Sequence, residues 1–304
     1  MILRKWLGRV AGAFAALGLM GAAPARAPLS HVAAPARAHP GLWKVQDKDT
    51  ILYLFGTIHA LPDDTRWRTP AFDKAFGSAD QLMIEVGNID DQQAVAGALM
   101  KVGIAPGLPP ILERVPPANR PALKAAIGDS GYPAAMFDRM KTWMAGLVLT
   151  TVEFKRIGLD PEQGVERKLV REWKAKGRSV DGFETAEQQF GFLDGLSPDA
   201  QQKFLVGTAD KPGDAKKQFA AMLSAWEAGD VAGIARSFDD ETTMSAELRR
   251  VLMKQRNARW ADWLAARMAK PGIVFVAVGA GHLAGRDSVL AMLAAKGLKP
   301  VRVQ

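Results

Sequence analysis

The chain has 304 residues, of which 48% are hydrophobic, and its formal net charge is +8. Five basic residues and no acidic residue lie within the first 38 positions, so the remainder carries only 8 − 5 = +3, and this small excess argues against a nucleic-acid partner. No cysteine is present, which excludes disulfides and restricts metal ligands to imidazole and oxygen groups.

The N-terminal segment has the pattern of a secretory signal peptide. Basic residues precede an apolar run from Val10 to Ala23, and small residues follow at 25–27 and 36–38. Because Pro28 would directly follow the first cleavage site, we predict that residues 1–38 form the signal peptide. The apolar run of about 14 residues is shorter than the roughly 20 that span a bilayer. We therefore expect an exported protein, periplasmic or secreted, with no membrane span in the mature chain.

Hydrophobic periodicity in the rest of the chain predicts an α/β fold with a central mixed β-sheet, flanking helices and a large mid-chain helical segment. The predicted strands are 42–46, 51–55, 81–86, 178–183, 273–278 and 301–303, the first two forming a hairpin. The predicted helices are 72–76, several between 92 and about 264, and 286–296. Asp160 as N-cap and Gly177 beyond the end mark one of these helices, and another is expected from Met244 to Met268. We predict a single domain over residues 41–304.

Two Gly-x-x-His sequences each follow an apolar run, one ending at His59 and the other at His282. Strand ends that are distant in sequence can meet at one edge of a sheet, so the two imidazoles are candidate ligands of one metal ion. About 0.4 chance matches to so short a pattern are expected in this composition. The pattern alone therefore leaves open that each histidine only hydrogen-bonds its own loop.

Glu85 lies near the end of the apolar strand predicted over residues 81–86. A carboxylate there is costly unless it is paired, exposed or bound to a cation. Glu85 would complete a His-His-Glu ligand set with His59 and His282, leaving positions open for water and substrate. It could instead act as a general base, or lie at an edge and point to solvent.

These segments together resemble the TraB/GumN family. The resemblance runs from about Gly41 to the C-terminus and rests on residues 54–59, the Glu85 strand and residues 278–285, with inner matches at 158–160, 182–185 and 256–257. The family is related to the Tiki metalloproteases of animals and to the fold group of erythromycin esterase and ChaN. The resemblance implies a divalent-metal hydrolase role for His59, His282 and Glu85. It leaves the metal open among Mn, Co, Zn and Fe.

Two of the inner matches are further candidates for the site. Glu184 follows a predicted strand and could be a ligand or an acid beside the metal, while the next residues, Thr185 to Gln188, have the pattern of a helix capping box. Arg256 lies in a predicted helix and could bind a substrate carboxylate or polarise a carbonyl, or it could be a solvated helix charge. We predict Glu85, Arg256 and Glu184 as catalytic groups.

The sequence thus predicts an exported divalent-metal-dependent hydrolase, possibly a peptidase, that acts on a peptide or a small molecule. The alternative is a non-catalytic envelope protein that binds peptide, pheromone or haem in the same pocket. The patterns carry no information on oligomeric state.

Overall fold

A computed structural model describes residues 38–62, 65–209, 212–239 and 245–304. The predicted signal peptide lies outside these residues except for Ala38, and so does Met244, the predicted start of one helix. Within the same ranges, no helix is both long enough and apolar enough to cross a membrane.

Six strands form one mixed sheet, which confirms the predicted fold class. The strands are β1 (Leu42–Gln46), β2 (Thr50–Thr57), β3 (Gln81–Val86), β4 (Val180–Glu184), β5 (Gly272–Gly279) and β6 (Val301–Arg302). Their order across the sheet is β4-β3-β5-β2-β1-β6. The pairs β4-β3, β3-β5 and β5-β2 are parallel, whereas β1 runs antiparallel to both β2 and β6. Four neighbouring strands therefore end at the same edge of the sheet.

Helices occupy most of the remaining chain. Before β4 they are α1 (Pro70–Ser78), α2 (Gln92–Gly103), α3 (Arg120–Asp129), α4 (Ala134–Arg139), α5 (Thr142–Arg156) and α6 (Val165–Ala175). Between β4 and β5 they are α7 (Ala186–Asp194), α8 (Pro198–Thr208), α9 (Pro212–Glu227), α10 (Val231–Asp239), α11 (Ala246–Arg249) and α12 (Gln255–Arg267). The last helix, α13 (Val289–Ala295), precedes β6. The large mid-chain helical segment is thus confirmed.

The side chains of the inner strands alternate between the two faces of the sheet, and the core therefore forms two apolar layers, one on each face. In β5, Phe275 and Ala277 pack with the mid-chain helices, while Val274 and Val276 pack with α12 and α13. Successive side chains of a strand point to opposite faces, and here both faces are covered. This double coverage explains why the inner strands read as continuous apolar runs rather than as alternating ones.

One predicted helix begins later than its sequence indicates. Asp160 accepts a hydrogen bond from the Glu162 amide at 2.8 Å, but it caps a short 3-10 turn, Pro161–Gln163, and α6 starts only at Val165. The predicted start at Asp160 is therefore wrong. The chain must straighten at Gly164 so that the Val165 amide can donate to the Ile58 carbonyl at 3.0 Å.

A π-helical turn interrupts the predicted helix that ends near residue 268. It covers Arg250–Lys254, between α11 and α12. Such turns insert an extra residue and so change which side chains face inward. Here the inward-facing residues that follow are Arg256, Asn257 and Trp260, all buried.

Candidate functional site

The carboxyl ends of the four parallel strands each contribute one side chain to a buried polar group. Glu85 is the penultimate residue of β3 and Glu184 is the last residue of β4, while His59 and His282 lie just beyond β2 and β5. All four are buried, with Glu85 and His282 fully inaccessible. The parallel topology thus brings together residues that are far apart in sequence.

Glu85 lies at the centre of this group. Its Oε1 atom lies 3.8 Å from His59 Nε2 and 3.7 Å from His282 Nε2, and it accepts a hydrogen bond from the Gly279 amide at 2.7 Å. Its Oε2 atom accepts from the guanidinium of Arg256 at 2.7 Å. Burial opposes ionisation, but electrostatic interaction with His282, Arg256 and His59 and the hydrogen bond from the Gly279 N–H outweigh it and lower the pKa of Glu85 to about 2. The side chain is therefore a carboxylate at neutral pH.

Glu166, which the sequence analysis did not select, is in contact with His59. His59 Nδ1 lies 2.6 Å from Glu166 Oε1, and the Thr57 hydroxyl donates to the same oxygen. His59, Glu85 and Glu166 each offer a ligand atom within 4.8 Å of the others, all three buried. In the described part of the chain this is the group of side chains that could hold a metal ion.

Glu166 did carry a signal in the sequence. With the helical spacing of α6, it falls on the same face as Leu169, Val170 and Trp173, which are buried. A carboxylate on the apolar face of an amphipathic helix is costly unless it has a partner. That exception to the pattern would have identified Glu166 as a candidate.

His282 borders the group but has different partners. Its Nδ1 atom lies 2.5 Å from Asn257 Oδ1, and its Nε2 atom lies 3.3 Å from the Arg256 guanidinium. With Nδ1–H donating to the amide oxygen, Nε2 becomes the acceptor toward Arg256. Burial is the main cause that lowers the pKa of His282, to about 3, so the imidazole is neutral. The structure brings His282 beside Glu85, but a metal ion shared with it would have to compete with Arg256.

Arg256 is the fully buried cation of the site. It donates through Nε to both carboxylate oxygens of Glu184, at 2.9 and 3.0 Å, and through a terminal nitrogen to Glu85. A third contact reaches the Leu252 carbonyl at 3.1 Å, within the π-helical turn. Burial opposes the charge, yet the two carboxylates raise the pKa of Arg256. The reading of Arg256 as a solvated helix charge is excluded by this burial.

The site meets a cleft on the side of His59 and Glu166. Both residues line it, together with Arg167 and a largely apolar set: Ala60, Ile89, Leu147, Thr150, Thr151, Phe154 and Pro161. The space amounts to about 480 Å³, part of it continuous with solvent. Glu85 and His282 are not among the lining residues, so a ligand in this cleft meets His59 and Glu166 first.

In comparison with known proteins, residues 41–302 match the sequence model of the TraB/PrgY/gumN family. The match includes every strand of the sheet and every residue of the site.

Curated relatives are similar over most of their length. An uncharacterized protein YbaP of Escherichia coli is 28% identical over 244 residues, which cover 79% of this chain and 87% of the relative. An uncharacterized protein of Treponema pallidum is 22% identical over 267 residues, covering 81% of this chain and 78% of the relative. No solved structure gives a significant match.

Proposed function

The chain belongs to the TraB/PrgY/gumN family, and we propose that it is a divalent-metal-dependent hydrolase. The observation that carries the proposal is the buried group of His59, Glu85 and Glu166, whose candidate ligand atoms lie within 4.8 Å of one another. Two of the three residues, His59 and Glu166, line the cleft.

The donor atoms fit a cation between His59 and Glu85. The 3.8 Å from His59 Nε2 to Glu85 Oε1 exceeds hydrogen-bond length, about 3.2 Å. Two tetrahedral ligands at about 2.0 to 2.2 Å from a shared cation are separated by roughly 3.3 to 3.6 Å, so a small approach of the two side chains would accommodate the ion. A ligand set of imidazole and carboxylate suits Zn, Mn, Co or Fe, whereas Ca and Mg prefer sites made of oxygen ligands alone.

Glu166 supports His59 in this arrangement. The 2.6 Å between His59 Nδ1 and Glu166 Oε1 is the length of a charge-assisted hydrogen bond and is too short for two separate ligands of one cation. In the proposed arrangement Nδ1–H donates to Glu166, which leaves the Nε2 lone pair available to a cation beside Glu85. Histidine ligands of metals are commonly oriented in this way by a carboxylate.

Glu85 suits the role of ligand better than that of general base. A carboxylate whose pKa lies near 2 is a weak base, whereas a general base works best with a pKa near the working pH. Arg256 holds Glu85 in its anionic form, and Glu184 in turn neutralises Arg256. Arg256 and Glu184 then position Glu85 without reaching the substrate, and His282 remains a proposed ligand that requires Arg256 to move.

A bound divalent ion would lower the pKa of a water molecule and polarise a scissile carbonyl. The chain would provide the rest: His59 and Glu85 would hold the cation, and Glu166, which lines the cleft, would be the carboxylate that takes up a proton there. We further propose, from the pattern of residues 1–38, that the protein acts after export. A reporter fused after Ala38 that is active only outside the cytoplasm would support export.

The test is metal binding and turnover by the purified mature chain. The stripped protein is titrated with Zn²⁺, Mn²⁺ and Co²⁺ by calorimetry and then assayed against peptide and ester libraries. We expect one ion per chain and metal-dependent hydrolysis. In His59→Ala both should be lost, and in Glu166→Gln the affinity should fall by about 10- to 100-fold.

Glu247→Gln is the matched control, because Glu247 is a carboxylate that hydrogen-bonds Ser197 and takes no part in the site. It should bind metal like the wild type. Failure of the wild type to bind any of the three ions would overturn the proposal. Stoichiometric ligand binding without products would favour a binding protein instead.

A further inference from the structure

The cleft beside His59 contains a buried guanidinium that the proposed hydrolysis does not use. Arg167 is 6% exposed and lines the cleft with His59 and Glu166. Its terminal nitrogen pairs with Glu162 Oε1 at 3.0 Å. A guanidinium carries five N–H donors in a planar fork suited to a carboxylate, so Arg167 retains donor capacity beyond this single ion pair.

The carboxylate that pairs with Arg167 is shared with a second arginine and is partly exposed. Glu162 is shared between two arginines, since Arg171 also pairs with its other oxygen, at 3.5 Å. Glu162 therefore divides its negative charge between the two guanidiniums. Glu162 is itself 41% exposed at its side chain, so water weakens its hold on Arg167.

The rest of the wall offers apolar contact. Leu147, Phe154 and Ile89 are buried at its surface. The hydroxyls of Thr150 and Thr151 donate back to helix carbonyls, at 2.9 and 3.0 Å, so they are already satisfied. An apolar wall with one buried cation is typical of a site that binds an apolar group and fixes it by a single charged contact.

We propose that this cleft is a subsite for an apolar carboxylate, with Arg167 binding the carboxylate and the wall of α5 covering the apolar part. Its role as a substrate site rests on the proposed function, in which the scissile bond of the bound molecule would face His59. Two sources share this chemistry: the C-terminal residue of a peptide and a short fatty acid.

Binding of probes to the metal-free protein tests the subsite separately from catalysis. N-acetyl-L-leucine is compared by NMR titration with its neutral amide, N-acetyl-L-leucinamide, and hexanoate with hexanamide. Where the wild type binds an acid, it should bind that acid at least about tenfold more tightly than the corresponding amide. A tenfold ratio of affinities is the scale of one charge-assisted hydrogen bond. Acid preference with the leucine pair alone identifies a peptide terminus, and preference with the hexanoyl pair alone identifies a fatty acid.

Two variants should change acid binding in opposite directions, and a third is their control. Arg167→Met should abolish the acid preference and leave amide binding within about twofold. Glu162→Gln should raise the acid affinity, because it removes the competing carboxylate, and this variant keeps the test valid if Arg167→Met does not fold. Arg171→Met is the matched control, since Arg171 pairs with the same Glu162 but does not line the cleft, and it should change the preference by less than about twofold.

A fourth variant locates the ligand, because Thr151→Phe fills the cleft and should weaken acid and amide alike. The subsite is refuted if the wild type binds acid and amide equally or binds neither. It is also refuted if Arg167→Met keeps the acid preference or if Thr151→Phe binds like the wild type. Because no metal is present, a failure of metal binding or hydrolysis would leave these results unchanged and so remain distinguishable.

Discussion

Replacement of Arg256 by methionine should destabilise the protein strongly, because it removes the buried cation that two buried carboxylates share and leaves Glu184 only the half-exposed Arg259, 3.6 Å away. Glu85 is inaccessible and Glu184 is 6% exposed, and both accept hydrogen bonds from this guanidinium at 2.7 to 3.0 Å. Methionine fills similar space without the charge. Each carboxylate would then stay ionised without its partner or take up a proton.

The expected cost is about 3 to 5 kcal/mol, the range for breaking a buried ion pair by removing one partner. That is a large share of a typical unfolding free energy of about 5 to 15 kcal/mol. For a chain of this size it corresponds to a fall in Tm of roughly 6 to 20 °C. Addition of Glu184→Gln to Arg256→Met should return at least about 1 kcal/mol, because one of the two stranded charges is removed.

Urea unfolding followed by circular dichroism, with Tm from calorimetry, measures these changes. Arg68→Met is the matched control: Arg68 also pairs with two carboxylates, Asp73 and Glu172, but its side chain is 38% exposed. Its loss should cost no more than about 1 kcal/mol. Equal costs for Arg256→Met and Arg68→Met would refute the reasoning that burial of the pair sets its importance.

Three further predictions concern stability. The pKa of His282 is lowered to about 3 in the folded protein from 6.5, so between these pH values the unfolded chain binds a proton that the folded chain does not. The contribution of His282 to stability is therefore fully present above about pH 6.5 and falls by about 1.4 kcal/mol per pH unit below it. Urea titrations at several pH values should show this slope, and His282→Gln should reduce it. Thr185→Ala removes a complete capping box and should cost about 1 kcal/mol by thermal melting, with no cost contradicting the cap. Gly164→Ala would place a methyl group against the His59 carbonyl and should lower both stability, by about 1 to 3 kcal/mol, and metal affinity, whereas Gly128→Ala, with open space around it, should do neither.

The strands were predictable from sequence because their signals are local. Continuous apolar runs bounded by turn residues gave β1 and β3 with the bounds that the structure has, and β2 and β5 extend only slightly beyond the predicted runs. The hairpin turn is equally local, since Asp47 accepts from the Asp49 and Thr50 amides.

Helix starts within the site depend on contacts that the local sequence does not contain. The start of α6 is set by Gly164, which lies against the His59 carbonyl, and by the hydrogen bond from Val165 to Ile58. Asp160 looks like an N-cap in either case, because a 3-10 turn uses the same side-chain contact. Likewise, the π-helical turn before Arg256 has no signal in the residue pattern.

The site was predicted in part, through the strand ends. His59, Glu85 and His282 do converge at one edge of the sheet, and Glu184 and Arg256 are joined to them by hydrogen bonds. Their roles as ligands or catalytic groups remain predictions. The sequence analysis missed Glu166 because its partner His59 lies more than a hundred residues away, and only the helical spacing of α6 indicated that a carboxylate faces the core.

The most direct test is a crystal structure of the protein soaked with Mn²⁺, with the ion located by its anomalous scattering. We expect a peak about 2.0 to 2.3 Å from His59 Nε2 and from a carboxylate oxygen of Glu85, with Glu166 still hydrogen-bonded to His59 Nδ1. A peak that appears elsewhere, or none at this position in crystals soaked to saturation, would contradict the assignment of a metal centre to these residues.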